Sequence, residues 1–236
     1  MACILHIETS TTVCSVALSV GGEVVFERIY YEGPSHAALL GVFVEETIKF
    51  SKEMHYQPDA IALSSGPGSY TGLRIGTSMA KGLCMGWDIP LIAVPTLQLM
   101  AFQASQRHRK DGCLYCAMID ARRMEVYSAI FDDTLSTIRE TSADIVTPEL
   151  FQSFLKRGKV FFFGNGAAKC RSVITSDQAL FLDDIHPLAP DMVSLADKSF
   201  QLGLFEDTAY FEPFYLKEFR ATTPKTYAKI LNANQS

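Results

Sequence analysis

Apolar and polar positions follow two rhythms along the chain, and their succession predicts the elements. Cys3 to Glu8 is a short apolar run and reads as a strand. Cys14, Val16, Leu18 and Val20 recur at every second residue, the period of a strand with one buried face. Gly21-Gly22 marks a two-residue hairpin, and Glu23 to Tyr30 returns as a third strand. After Pro34-Ser35, with Ser35 as the expected N-cap, Leu39, Leu40, Phe43, Val44 and Ile48 take the helical period. Asp59 to Ser65 reads as a strand, Gly72 to Gly86 as a helix, Ile89 to Val94 as a strand and Thr96 to Ala104 as a helix.

The second half repeats this order. Cys113 to Asp120, Glu125 to Phe131 and Leu135 to Thr141 read as strands. Pro148 to Lys156 reads as a helix with Thr147 as its cap, and Val160 to Phe163 as a strand ending at Gly164-Asn165-Gly166. A shorter helix, a strand at Ala179 to Leu182 and a helix from Asp191 to Leu202 complete the half. The polar, basic stretch Ser105 to Gly112 joins the halves, so two subdomains are expected, 1–106 and a reduced 107–236. Phe211 to Leu216 reads as a strand or an extended strap. A three-strand meander followed by α-β-α, twice over, resembles the order of the actin-like ATPase superfamily. The expected fold class is therefore α/β, actin-like (ribonuclease H-like).

Composition narrows the class. Hydrophobic residues make up 48% and charged residues 20%, a globular balance. No apolar run approaches the roughly 20 residues of a membrane span, and the N-terminus lacks a basic lead-in, so a cytoplasmic protein is expected. The six cysteines read as reduced core residues; Cys113 and Cys116 lie on one strand and point to opposite faces. The net charge of −5 argues against RNA binding by the isolated chain. It is uneven, however. From Phe214 to Ser236, Lys217, Arg220, Lys225 and Lys229 stand against Glu218, a net +3 that leaves −8 elsewhere. Such a tail suits a partner or RNA, or is a solvated end.

The densest motif is Ser64-Ser65-Gly66-Pro67-Gly68-Ser69-Tyr70-Thr71-Gly72-Leu73-Arg74-Ile75-Gly76, a strand-to-helix turn. It lacks the lysine of a P-loop, and Gly66, Gly68 and Gly72 miss the dinucleotide spacing by one residue. Arg74, in the first helical turn, is placed to pair with a phosphate or carboxylate, or to lie on a solvated face. Glu8-Thr9-Ser10-Thr11-Thr12 offers a carboxylate and four hydroxyls, suited to a magnesium nucleotide. The same hydroxyls also suit capping the turn, the reading we favour. Asp120, Arg122, Glu125 and Tyr127 form a second polar cluster. None of the five histidines forms an H-x-x-x-H or H-E-x-x-H pair, and no G-x-S-x-G elbow occurs. Glycines inside the helix after the turn each cost about 1 kcal/mol against alanine, which suggests close approach of another backbone.

Several segments resemble the TsaB (YeaZ) family. They are Ile4 to Ser10, Cys14 to Leu18, Gly66 to Gly76, Ile119 to Arg122, Glu125 to Tyr127 and Pro213 to Lys217, which together span nearly the whole chain. Glu8 stands where that family more often has aspartate. The resemblance implies a non-catalytic subunit of the bacterial machinery that installs N6-threonylcarbamoyladenosine at position 37 of tRNAs reading ANN codons. It implies binding to the catalytic paralogue TsaD, with TsaE joining, and homodimers when TsaD is absent. TsaD holds metal through H-x-x-x-H; here Leu40 stands four after His36. No catalytic or metal-binding residue is expected, and ATP, ADP or metal only in the TsaD complex, as is tRNA. The expected docking surface is a four-helix bundle with Leu39, Leu40, Phe43, Ile75, Gly76, Met79 and Leu83. Glu8, Thr9, Arg74, Asp120 and Arg122 are the candidates for nucleotide or interdomain contacts. The alternative activities are a stand-alone nucleotide hydrolase and, less favoured, a glycoprotease.

Overall fold

The computed structural model describes residues 1–33 and 35–217, so Pro34 and most of the basic tail lie outside the described residues. Its first sheet contains β1 (Cys3–Glu8), β2 (Cys14–Val20), β3 (Glu23–Tyr30), β4 (Ala60–Gly66) and β5 (Leu91–Pro95), in the order β3-β2-β1-β4-β5. β2 runs antiparallel to β1, with Cys3 opposite Val20 and Glu8 opposite Ser15, whereas β4 and β5 run parallel to β1. The hairpin turn forms because Gly21 and Gly22 adopt φ of +61° and +88°, angles that a Cβ disfavours.

The second sheet contains β6 (Leu114–Asp120), β7 (Glu125–Phe131), β8 (Thr137–Ile145), β9 (Val160–Phe163) and β10 (Ala179–Leu182). Its order, β8-β7-β6-β9-β10, repeats the first sheet strand for strand, with the same antiparallel and parallel pairings. This is the duplicated α/β order expected of an actin-like fold. The second half is the reduced one. The helix expected at Pro148 to Lys156 shrinks to α4 (Gln152–Leu155), because the preceding residues wind as i to i+3 turns. Thr147 does not cap it; Phe151 holds the cap position. The short helix after Gly166 is a 3-10 turn, Ala168–Cys170. β8 starts later than expected because Asp132 Oδ1 accepts from the N–H groups of Thr134 and Ser136, closing a turn with Leu135 at φ +65°.

Helices cover the sheets. α1 (His36–Glu53) and α2 (Tyr70–Trp87) lie side by side on one face of the first sheet. Leu40, Val44, Ala80 and Cys84 pack there on Leu5, Ile7, Val16, Leu18 and Ile61. Ser35 holds the cap position of α1, but its hydroxyl makes no cap hydrogen bond. α2 starts earlier than expected because Ser69 Oγ accepts from Gly72 N at 3.3 Å. α3 (Thr96–Arg107) lies between the sheets: Leu99 meets Ile4 and Ile92, whereas Leu97, Met100 and Ala104 meet Tyr115, Ala117 and Ile119. α5 (Val193–Gln201), preceded by a 3-10 turn at Pro190–Met192, crosses back to the first sheet, where Met192 and Ala196 pack on Ala60, Ala62 and Val94.

After α5 the chain runs as a strap along the first half. Glu206 N donates to Leu91 O at 2.9 Å. Lys81 Nζ donates to the carbonyls of Ala209 at 3.0 Å and Phe211 at 3.2 Å, and Phe214 N donates to Ser65 O at 2.7 Å. Phe211 to Leu216 is therefore extended but belongs to no strand. All six cysteines are free and buried; Cys113 and Cys116 enter cores on opposite faces of the second sheet, as their spacing predicts.

Candidate functional site

The glycine turn closes on the chain itself. A Cβ at Gly68 would stand 2.3 Å from Ser10 O, and one at Gly72 2.1 Å from Thr9 O. A Cβ at Gly76 would stand 2.3 Å from Thr9 Oγ1, and one at Gly66 2.8 Å from Phe214 O. At Gly66, Gly68 and Gly72 the obstacle is backbone, so any Cβ there would force the chain to move. Ser69 N donates to Ser10 O at 2.6 Å, and Thr9 Oγ1 donates to Gly72 O at 2.8 Å. The β1–β2 turn thus fills the space beside Gly68 and Gly72, and no phosphate fits between them.

Of the Glu8-to-Thr12 hydroxyls, those of Ser10 and Thr11 are engaged within the turn and that of Thr9 on Gly72 O. Ser10 N and Ser10 Oγ donate to Glu8 Oε1 at 2.6 and 2.5 Å, and Thr11 Oγ1 accepts from Val13 N. Only Thr12 is exposed. Glu8 is fully buried, with Oε2 unpartnered, and burial pushes its carboxyl up to about 7 against the hydrogen bonds from Ser10 and Ser64. A carboxylate closed off in this way does not suit a solvent-facing magnesium nucleotide, so the residues present do not fit that group at this turn. His36 is buried too, its Nε2 donating to Thr11 O at 2.7 Å. Among the described residues, no three His, Cys, Asp or Glu side chains converge to hold a metal ion.

Arg74 lies on the solvated side of α2. Its Nη1 donates to Tyr70 Oη at 2.9 Å, its guanidinium stands 5.4 Å from the Tyr70 ring, and Tyr70 stacks on Tyr215 of the strap at 5.0 Å. Asp120 Oδ1 accepts from Arg122 N at 2.9 Å and pairs with Lys169 Nζ. Asp120 N donates to Asn165 Oδ1 at 2.9 Å. Lys169 Nζ also donates to Arg123 O and Glu125 O, holding Arg122 and Arg123 at positive φ. This second turn copies the first: a Cβ at Gly166 would stand 2.9 Å from Ile119 C. The two turns keep Glu8 and Thr9 apart from Asp120 and Arg122 in separate networks. The strap links them, with Phe214 on Ser65, Tyr215 on Tyr70 and Lys217 paired with Glu125.

The expected anchors divide. Leu39, Phe43, Ile75, Met79 and Leu83 are half-buried along the α1–α2 face. Leu40, only 1% exposed, is a core residue packed on the first sheet, and Gly76 faces Thr9, so neither presents a side chain outward. The outward line instead holds Gly41, Val42, Gly82, Met85 and Gly86. Val42 is 47% and Met85 75% exposed, and a Cβ at any of the three glycines meets nothing within 4 Å. The sequence signal for this line was the spacing of Gly82 and Gly86, four apart on one helix.

Comparison with known proteins agrees with this architecture. Residues 32–225 match the family described as TsaD, tRNA N6-adenosine threonylcarbamoyltransferase. The TsaB tRNA threonylcarbamoyladenosine biosynthesis protein of Escherichia coli is 33% identical over 91% of this chain and 94% of its own. The Haemophilus influenzae TsaB protein is 30% identical over 91% and 93%. The solved YeaZ structure from Pseudomonas aeruginosa shares 26% identity and a TM-score of 0.74, covering 92% of this chain and all of that one. With repeated sheets, glycine turns sealed by their own hairpins and this coverage, the chain belongs to the TsaB family of tRNA threonylcarbamoyladenosine biosynthesis proteins, on a TsaD-type domain.

Proposed function

We propose that this chain is a non-catalytic subunit that docks on a TsaD-type partner through the outward face of α1 and α2 and supports that partner's modification of tRNA. One observation carries the reading. Gly41, Gly82 and Gly86 sit in helices where glycine is unfavourable, and among the described residues nothing lies within 4 Å of where their Cβ atoms would stand. The glycines of the turn, by contrast, are each explained by a contact within the chain. Helix glycines without a neighbour of their own fit close packing of another helix, with Val42 and Met85 as apolar contacts. In the partner's absence the same face suits a second copy, and TsaE joins the larger assembly. ATP or ADP and metal belong to that assembly, since the glycine turn of this chain is filled by its own hairpin. Family membership and the described helices, none of which is long and apolar enough to cross a membrane, favour a cytoplasmic setting.

Val42→Glu and Met85→Glu test this docking. Both positions are exposed, so the free chain keeps its fold, but a carboxylate buried unpaired in an interface costs about 3 kcal/mol or more, a loss of roughly 100-fold or more in affinity. Co-elution with the TsaD-type protein of the same organism should vanish. Undiminished co-elution would remove α1 and α2 from the interface.

A further inference from the structure

The loops that precede β6 and β9 lie side by side. Leu114 N donates to Lys159 O at 3.0 Å, and a Cβ at Gly158 would stand 3.7 Å from Gly112 O. Together they carry Arg109, Lys110, Lys156, Arg157 and Lys159, all exposed. Arg107, beside them, is structural, since it ends α3 and donates to Asp184 O at 3.2 Å. The other five have no ion pair or side-chain hydrogen bond among the described residues. Asp111 lies on the first of these loops itself, and Asp132, Asp133 and Asp177 on neighbouring ones. Two of them are engaged with backbone N–H groups: Asp132 closes its own turn at Thr134 and Ser136, and Asp133 accepts from Gly112 N of the loop before β6 at 2.8 Å. Five cations without an ion pair among the described residues stand on two touching loops, in a chain of net charge −5, and repel one another.

We propose that this face holds the phosphate backbone of the tRNA on which the assembly acts. The inference rests on the reading of the chain as a subunit in tRNA modification and gives it a direct contact with the RNA. Unpaired lysines and arginines gain affinity from a polyanion by releasing its condensed counterions, and such contacts position without reading sequence. The exposed His108 beside them has its ring 6.3 Å from that of Phe161. The loops stand at the N-terminal ends of β6 and β9, opposite the Asp120 and Gly164 turns, and on the other sheet from the α1–α2 face. RNA and a docked partner therefore engage different surfaces.

The test is tRNA binding by the assembled complex, followed by anisotropy across a salt series, with Arg109→Gln, Lys110→Gln and Lys159→Gln combined. Losing three phosphate contacts should weaken binding about tenfold at moderate salt and make the log K against log salt slope shallower by about 2. Lys198→Gln, at an exposed position of α5, should change neither. Size-exclusion of the same samples separates the two readings. If the triple variant still assembles but binds tRNA with wild-type affinity and slope, the RNA face is wrong. If the wild-type chain fails to assemble, the docking reading fails, and titration of the chain alone with tRNA still decides the RNA face. Binding to phosphatidylserine vesicles with none to tRNA would also overturn it.

Discussion

Gly72→Ala and Gly82→Ala place the same methyl group on the same helix, α2, and the structure gives them opposite signs. At position 72 the new Cβ would stand 2.1 Å from Thr9 O, in the buried β1–β2 turn, and 3.3 Å from Cδ2 of His36, the buried first residue of α1. Relief requires backbone movement, and overpacking of this kind costs about 1–3 kcal/mol. The movement also loosens the Thr9 Oγ1 to Gly72 O and the Gly72 N to Ser69 Oγ hydrogen bonds, each worth about 1 kcal/mol. The expected loss is about 3 kcal/mol, or about 6–12 °C in Tm for a chain of this size. At position 82 nothing lies within 4 Å, so alanine brings only its helical preference, about 1 kcal/mol, or about 2–4 °C upward. Gly76→Ala falls between them, because its obstacle is the Thr9 hydroxyl rather than backbone. Thermal and urea unfolding at several protein concentrations read these differences and keep association from mimicking stability. A Gly72→Ala protein as stable as wild type would refute the claim that the glycine turn exists to close on the β1–β2 hairpin.

Glu8→Gln isolates one titration. Between the unfolded carboxylate value of about 4.3 and the folded value of about 7, the native state holds a proton that the unfolded state has lost, so Glu8's contribution to stability falls as pH rises, by roughly 3–4 kcal/mol across the window. His6, held down to about 3 by burial, works in the opposite sense, so the difference between variant and wild type is the readout. Urea midpoints should show Glu8→Gln gaining on wild type from about pH 5 to pH 7.5, and a flat difference would contradict a buried, near-neutral Glu8. Lys81→Met removes the ammonium that holds Ala209 O and Phe211 O, and limited proteolysis within 203–211 should accelerate severalfold with little change in Tm; an unchanged cleavage rate would mean the strap is held by its other contacts. Asp144→Ala leaves Arg139, Ser128 and Ser142 without their shared acceptor and should cost about 2–3 kcal/mol in chemical unfolding, toward the low end for a buried pair because Arg139 keeps some solvent.

Much of this fold was legible because its strands carry their faces in their spelling. The alternation of Cys14, Val16 and Leu18 and the Gly21-Gly22 pair are local signals, and the structure keeps the shared core face and the turn, although Ser15, Ala17 and Ser19 on the other face of β2 are buried as well. The helix lengths of the second half were not legible, since Phe151 and Leu155 bury equally well from a single turn as from a full helix. Nor was the return of α5 and the strap to the first sheet, which depends on long-range packing at Leu91, Lys81 and Ser65 that no local period reports. At the candidate site the sequence pointed to α1 and α2 but could not give the facing of their residues. Leu40 and Gly76 share the small and apolar character of Gly82 and Val42; what separates them is the rotation of each helix on the sheet. Glu8 and its hydroxyls illustrate the converse, a pattern suited to a ligand that the turn uses up itself.

The most direct measurement is the threonylcarbamoyladenosine content of tRNA after incubation with the TsaD-type protein, TsaE and the substrates of the reaction, with this chain wild type, absent, or carrying Met85→Glu. The account predicts modification with the wild-type chain, near-background levels without it or with Met85→Glu, and none from the chain alone. Full modification in its absence, or by the Met85→Glu protein, would contradict a supporting subunit that works through the α1–α2 face.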